Sequence, residues 1–154
     1  MKKILVLACT ATFLFSFSQK TMNLEYKSSP KVFSIKGLSQ SVSIDCGNSR
    51  MILLSGQVPL DTEGNLVGNT IEEQTQQVFK NIENILKEYE GTGKDIIKLV
   101  IYTTDIKKTP DFRKVRDLYV NLQNPPVSSL VEVSRLFRDD VLIEVEATAV
   151  IKNK

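Results

Sequence analysis

The chain has 154 residues, 42% of them hydrophobic and 25% charged, which is the length and balance of one globular domain. It contains no histidine, which excludes Ser-His-Asp and Cys-His triads, His-ligated zinc and iron sites, and an imidazole general base. With no tryptophan and 7% aromatic residues, it has few surfaces on which single-stranded nucleic acid could stack.

The first segment reads as a targeting signal. Met1-Lys2-Lys3 is a short positive start, and Ile4 to Phe17 is apolar apart from Thr10, Thr12 and Ser16. Ser16-Phe17-Ser18 puts small residues at the two positions a signal peptidase reads, just before Gln19. The pattern predicts a signal peptide over residues 1–18 and an exported protein, periplasmic or secreted. The run is short for a hydrocarbon core of about 30 Å, so no stable membrane anchor is expected after cleavage. A lipoprotein signal ending at Cys9 is excluded, because the apolar run continues well past it. Cleavage removes Lys2, Lys3 and Cys9 and takes the basic residues from 20 to 18 against 18 acidic ones, a net charge of zero. A neutral chain argues against nucleic-acid binding driven by charge. Cys46 is then the one cysteine left, so no intramolecular disulfide can form. Without a histidine to activate it, Cys46 is expected to be a small buried hydrophobe.

Residues 19–35 are polar and punctuated by Ser28-Ser29-Pro30, and read as an N-terminal extension or early strand. A single domain is expected over 36–152. Val42 to Cys46 alternates, Gly47-Asn48-Ser49 signals a turn, and Met51 to Leu54 is a short strand running into Ser55-Gly56-Gln57. Asp61 to Asn65 is a turn. Thr70 and Glu73 form a capping-box pattern before a helix whose stripe is Val78, Ile82, Ile85 and Tyr89, with Phe79 and Leu86 widening it. Gly91 and Gly93 are expected to end it. Ile96 to Tyr102 reads as a strand buried on both faces. Thr109 as N-cap and Pro110 at the first position open a second helix, with Phe112, Val115, Tyr119 and Leu122 facing inward and Asn124-Pro125-Pro126 as its breaker. Val127 to Leu136 and Val141 to Ile151 read as a closing strand hairpin.

Two amphipathic helices can cover one face of a mixed sheet of about six strands, not both. In the last strand Ile143, Val145, Ala147 and Ala149 share one face, while Leu142, Glu144, Glu146 and Thr148 share the other. Leu130 is expected beside that second face, across the hairpin. A half-apolar sheet face without a cover predicts an oligomer interface.

Four segments together resemble the RidA/YjgF family of reactive-intermediate deaminases. Leu54-Ser55-Gly56-Gln57-Val58-Pro59-Leu60 is similar to its "SGQIPL" segment, and Ile71-Glu72-Glu73-Gln74-Thr75 to its "IEEQT" helix start. Val131 to Leu136 resembles "VEVARL", and Ile143 to Val150 resembles "IEIEAIAV". The resemblance runs from Lys36 to Ile151. It implies an α+β, chorismate-mutase-like fold and a homotrimer with small-molecule clefts between subunits. Active members hydrolyse 2-imino acids such as 2-iminopropanoate and 2-iminobutanoate to 2-keto acids and ammonia, with no metal or organic cofactor.

The family's site residues carry over unevenly. The resemblance implies that Ser55, Gly56 and Gln57 line the cleft and that Glu144 positions the attacking water. Ser128, in Pro126-Val127-Ser128-Ser129, stands where the family's "PARS" segment has the arginine that grips the substrate carboxylate. Leu38, in Gly37-Leu38-Ser39-Gln40, falls at the position of a cleft tyrosine. An arginine offers a carboxylate two parallel charge-assisted hydrogen bonds, whereas a serine offers one neutral donor. Losing a hydrogen bond to a charged group costs about 1.5–3 kcal/mol, or about 10- to 150-fold in binding. Arg135 and Arg50 are candidate replacements that no spacing places in the cleft. Two readings follow: a binding module in which imino-acid hydrolysis is weak or lost, or an active deaminase-like hydrolase of altered range using Glu144 and water. A nuclease gains nothing from a neutral chain without histidine.

Overall fold

A computed structural model describes residues 23–153. The signal peptide expected over 1–18 and residues 19–22 of the extension lie outside the described residues. The elements in chain order are β1 (Leu24–Lys27), β2 (Ser41–Asp45), β3 (Ser49–Gln57), α1 (Ile71–Lys87), β4 (Ile96–Thr103), α2 (Thr109–Tyr119), β5 (Val127–Glu132) and β6 (Ile143–Lys152). The strands form one mixed sheet in the order β1-β2-β3-β6-β4-β5. Only β4 and β5 run parallel, joined by a crossover through α2. Both helices lie on the same face, as expected for two helices over six strands.

The local chemistry of α1 is as its sequence predicts. The Thr70 hydroxyl accepts from the Glu73 amide at 3.3 Å, and the Glu73 carboxylate accepts from the amides of Thr70 at 3.1 Å and Asn69 at 2.9 Å. Two of the orphan donors of the helix start, the amides of Thr70 and Glu73, are thereby satisfied, together with the Asn69 amide just before them. The helix end differs from expectation. The left-handed residue is Glu90, at φ 61°, and the following Gly91 amide donates back to the Leu86 carbonyl at 2.9 Å. The two glycines serve close packing instead. A Cβ on Gly91 would press into Ile151, and one on Gly93 would come within 2.9 Å of the Tyr119 carbonyl oxygen.

The helix α2 starts one residue earlier than its N-cap pattern suggests. Thr109 is already helical, its hydroxyl donates to the Ile106 carbonyl at 2.6 Å, and no side chain caps the start. Val120 leaves the helix in an extended conformation, so the helix stops before the proline pair, and Leu122 is exposed. Phe112 and Val115 are buried, and the Tyr119 ring stacks on Phe79 with centroids 5.0 Å apart.

The core lies between the helices and the covered face of the sheet. Ile143, Val145, Ala147, Ala149 and Ile151 alternate into it from β6, and Ile52, Leu99 and Ile101 join from β3 and β4. Against them α1 packs Val78, Phe79, Ile82, Ile85 and Leu86, all fully buried. Each such side chain contributes roughly 1.5–3 kcal/mol on burial. Gln74 is also fully buried: its amide nitrogen donates to the carbonyls of Gly68 (3.2 Å) and Asp140 (2.9 Å), and its oxygen accepts from the Leu142 amide at 2.8 Å. It ties the first helix to the entry of β6.

Three expectations are corrected. The last two strands are not a hairpin: β6 inserts between β3 and β4, and β5 pairs only with β4. Leu130 pairs with Ile101 and therefore points to the helix side. The strand β4 is buried on one face only, because nothing among the described residues covers the other.

Candidate functional site

The site begins with an irregularity in the ladder between β3 and β6. Leu54 pairs with Ala147 and Gln57 with Val145, so β3 spends one residue more than β6 between these rungs. This is a β-bulge at Ser55-Gly56, which turns the backbone outward from the plane of the sheet. The Ser55 amide donates to the Gln40 carbonyl at 3.0 Å and its hydroxyl to the Ser39 carbonyl at 2.6 Å, tying the bulge to the loop before β2.

Glu144 stands on the open face of β6 directly over this bulge. A Cβ at position 56 would lie 2.8 Å from the Glu144 carboxyl carbon and closer still to Oε1. Glycine at 56 therefore makes the space that the carboxylate fills, a close approach that explains the residue better than strand geometry alone. Glu144 is half-buried, and burial raises its pKa above the ordinary glutamate value, with the charge of Glu146 adding to the effect. Glu146, two residues on and on the same face, accepts a hydrogen bond from the Tyr102 hydroxyl at 3.1 Å. That bond, with the charge of Glu146, raises the pKa of Tyr102.

Leu38 reaches the site on a turn. Gly37 adopts φ 85°, the Leu38 amide donates to the Ile35 carbonyl at 3.1 Å, and the Leu38 side chain is exposed. The buried Gln40 anchors this segment by accepting from the Ser29 amide at 2.8 Å and donating to the Val32 carbonyl at 3.1 Å. Leu38, Ser39, Ser55, Gly56, Glu144 and Glu146 line a recess of about 480 Å³, with Tyr26, Val42 and Leu53 forming its apolar side.

Of the six site residues predicted from sequence, the structure brings four together: Leu38, Ser55, Gly56 and Glu144. Gln57 is adjacent in sequence, but its side chain is buried, and it donates to the Ser55 carbonyl at 3.0 Å. It lines a small cavity behind the bulge rather than the recess. Ser128 stands apart. It pairs with Leu99, which pairs in turn with Ala147, so it is exposed at the sheet edge on the helix side. Within one chain Ser128 and Glu144 lie on opposite faces, two strands apart. Neither candidate arginine reaches the recess within the chain. Arg50 pairs with Ile151 at the far end of β6 and donates to the Tyr89 carbonyl at 3.3 Å, and Arg135 is exposed beyond β5.

Sequence reasoning missed the roles of Glu146 and Tyr102. The signal was available: Glu146 is one strand period from Glu144, and Tyr102 shares its face with both. Cys46 is exposed in the turn after β2, not buried as expected, and its thiol donates to the Ile44 carbonyl at 3.6 Å. Among the described residues no cluster of three or more acidic or sulfur ligands could hold a metal ion, and no helix is long and apolar enough to cross a membrane.

The fold and the bulge-and-glutamate site together define a known class. A sequence model described as Endoribonuclease L-PSP matches residues 30–151. A RutC family protein of Pyrococcus abyssi is 40% identical over 112 residues, covering 71% of this chain and 84% of its own. A Buchnera aphidicola RutC family protein is 38% identical over 128 residues, covering 82% of this chain and 94% of its own. Among solved structures, YyfA of Yersinia pestis, described as a member of the conserved Rid protein family, superposes with a TM-score of 0.73 at 30% identity, covering 82% of this chain and 98% of that one. The chain belongs to the RidA/YjgF family.

Proposed function

We propose that the protein is an exported, RidA-like homotrimer that binds a small metabolite in clefts between protomers, with hydrolysis of 2-imino acids weak or lost. The observation that carries this reading is the separation of Ser128 from Glu144. A ligand touching both must lie where the β5 edge of one copy meets the open face of another, since one chain holds them on opposite faces. The apolar character of that open face supports the same reading: Tyr26, Leu53, Val127 and Val131 are all substantially exposed. At the cleft, serine in place of arginine leaves a substrate carboxylate with one neutral donor instead of a bidentate cation.

A second reading is favoured by Glu144 itself. Its carboxylate is half-buried over an intact Ser55-Gly56 bulge, with a raised pKa that suits proton transfer. In this reading the chain remains an imine deaminase of altered range. Water adds to the imine carbon, the C=N electron pair moves to nitrogen, Glu144 relays the proton, and the C–N bond then breaks to give a carbonyl compound and ammonia.

The two readings separate in one assay. With 2-iminopropanoate generated by an amino-acid oxidase and trapped with semicarbazide, the wild type is expected to leave the trapping rate unchanged. Ser128→Arg is expected to reduce it, and Ser128→Arg/Glu144→Ala to abolish that gain, as for residues acting as one unit. Turnover by the wild type comparable to that of Ser128→Arg overturns the first reading. Light scattering at about three chain masses, and an N-terminus at Gln19 in protein from the native host, test assembly and export.

A further inference from the structure

We infer that the recess around Glu144 takes small organic ammonium or iminium cations with an apolar tail, in preference to ligands that carry a carboxylate. This rests on the inter-protomer reading above and names the ligand class for that site.

The charge of the recess is one-sided. Glu144 and Glu146 stand one strand period apart on the same wall. Glu146 receives the Tyr102 hydroxyl, which leaves its carboxylate an acceptor with capacity to spare, and none of the described hydrogen bonds or ion pairs reaches Glu144. The other lining groups are neutral hydroxyls and apolar side chains. Lys27 and Arg50 are committed elsewhere. The Lys27 ammonium lies 4.9 Å over the Tyr89 ring, donates to the Glu88 carbonyl at 3.1 Å and pairs with Glu25 at 3.4 Å. Arg50 is held at the Tyr89 carbonyl. On the open face itself Lys98 shares a rung with Thr148, one period beyond Glu146, and Lys152 closes the far end of β6.

A second observation comes from the other side of the cleft. The stretch from Asp117 to Ser134, which contains all of β5, has neither lysine nor arginine. A second copy presenting this edge to the recess adds hydroxyls, amides and apolar groups, and its only charges are the carboxylates of Asp117 and Glu132. A carboxylate ligand would enter a half-desolvated recess against like charges, with no cation among the recess lining or this stretch to compensate; Arg135 lies just past the stretch. An ammonium or iminium ion meets two acceptors of opposite charge. Its hydrocarbon part meets Leu38, Val42, Leu53 and the exposed ring of Tyr26, whose face also attracts a cation.

Calorimetric titration of the mature trimer with isobutylammonium and isobutyrate, two ions of nearly the same skeleton and opposite charge, tests the inference at neutral pH. Isobutylammonium is expected to bind at least about tenfold more tightly than isobutyrate. Glu144→Gln and Glu146→Gln, each checked for a native unfolding transition, are expected to weaken it about tenfold apiece. Ser128→Arg is expected to reverse the preference. A trimer that prefers isobutyrate, binds both equally or binds neither overturns the proposal, as does ammonium binding untouched by both glutamine variants. A trimer that binds isobutylammonium yet turns over no imine upholds the ligand class while removing the hydrolase reading. A monomer with the same preference upholds the ligand class and removes the shared clefts.

Discussion

The two faces of this sheet are written by one alternation yet meet different fates. On β6, Ile143, Val145, Ala147, Ala149 and Ile151 are buried beneath two helices, while Glu144, Glu146, Thr148 and Val150 between them are only half-buried. The covered face is dry and apolar, so its energetics are those of packing: each methylene removed leaves a gap that its neighbours fill only in part. The open face mixes valines, leucine and tyrosine with two carboxylates and two lysines, too apolar for a solvated surface and too charged for a core. One chain is stabilised on one side of its sheet and leaves carboxylates among apolar side chains open on the other.

That contrast predicts a graded series of effects. The largest belongs to the covered face: Phe79→Ala, which removes a fully buried ring stacked on Tyr119, is expected to cost about 3–5 kcal/mol in urea unfolding, with no direct effect on ligand charge preference. Next is Gln74→Leu. It strands the Leu142 amide and two carbonyls in a buried place, for an expected cost of about 1–3 kcal/mol. Comparable losses from Leu53→Asp on the open face, measured on the dissociated protomer, would erase the contrast. That variant is expected to change protomer stability by about 0.5 kcal/mol or less while abolishing the proposed trimer by light scattering. Gly56→Ala is expected to leave the unfolding midpoint nearly unchanged, since the Glu144 side chain can swing away, but to eliminate isobutylammonium binding.

The smallest effect is a pH dependence. The folded-state pKa of Glu144 is raised by burial and then by Glu146, so ionising this group opposes folding. Its contribution to stability is fully present below the ordinary value of 4.5 and is lost as pH rises through the folded-state value. Glu144→Gln should therefore raise the urea midpoint near neutral pH and leave it unchanged well below 4.5, and a midpoint lowered at neutral pH would reverse the sign of the argument.

Where sequence was informative, the signal was local. The Thr70–Glu73 capping box, the α1 stripe and the β6 alternation are each decided within a few residues, and each is found in the structure. Thr109 misled because a hydroxyl before a proline looks like a cap, yet its hydroxyl donates backward to Ile106 instead of accepting from the helix. The hairpin failed for a non-local reason. Adjacent strands with a short connection usually pair, and only the register with β3 and β4 reveals that β6 goes between them. The recess shows the same division. Ser55, Gly56 and Glu144 were legible through their segments. The contact that joins them, a carboxylate occupying the place of a missing Cβ, belongs to the pairing of two strands about ninety residues apart in the chain.

The position of β6 has a consequence for the order in which the protein can be made. It is the last of the six strands along the chain and sits fourth from the β1 edge of the sheet and third from the β5 edge, with β3 on one side and β4 on the other. Until residues 143–152 are available, β1-β2-β3 and β4-α2-β5 have no shared edge, and α1 has only half a floor to rest on. Before that, the nascent chain is two sheet pieces with open edges, joined only where α1 packs on α2 through Phe79, Phe112 and Tyr119, and the molecule closes by inserting a strand into its own middle. Such a topology delays the decisive contacts to the end of synthesis.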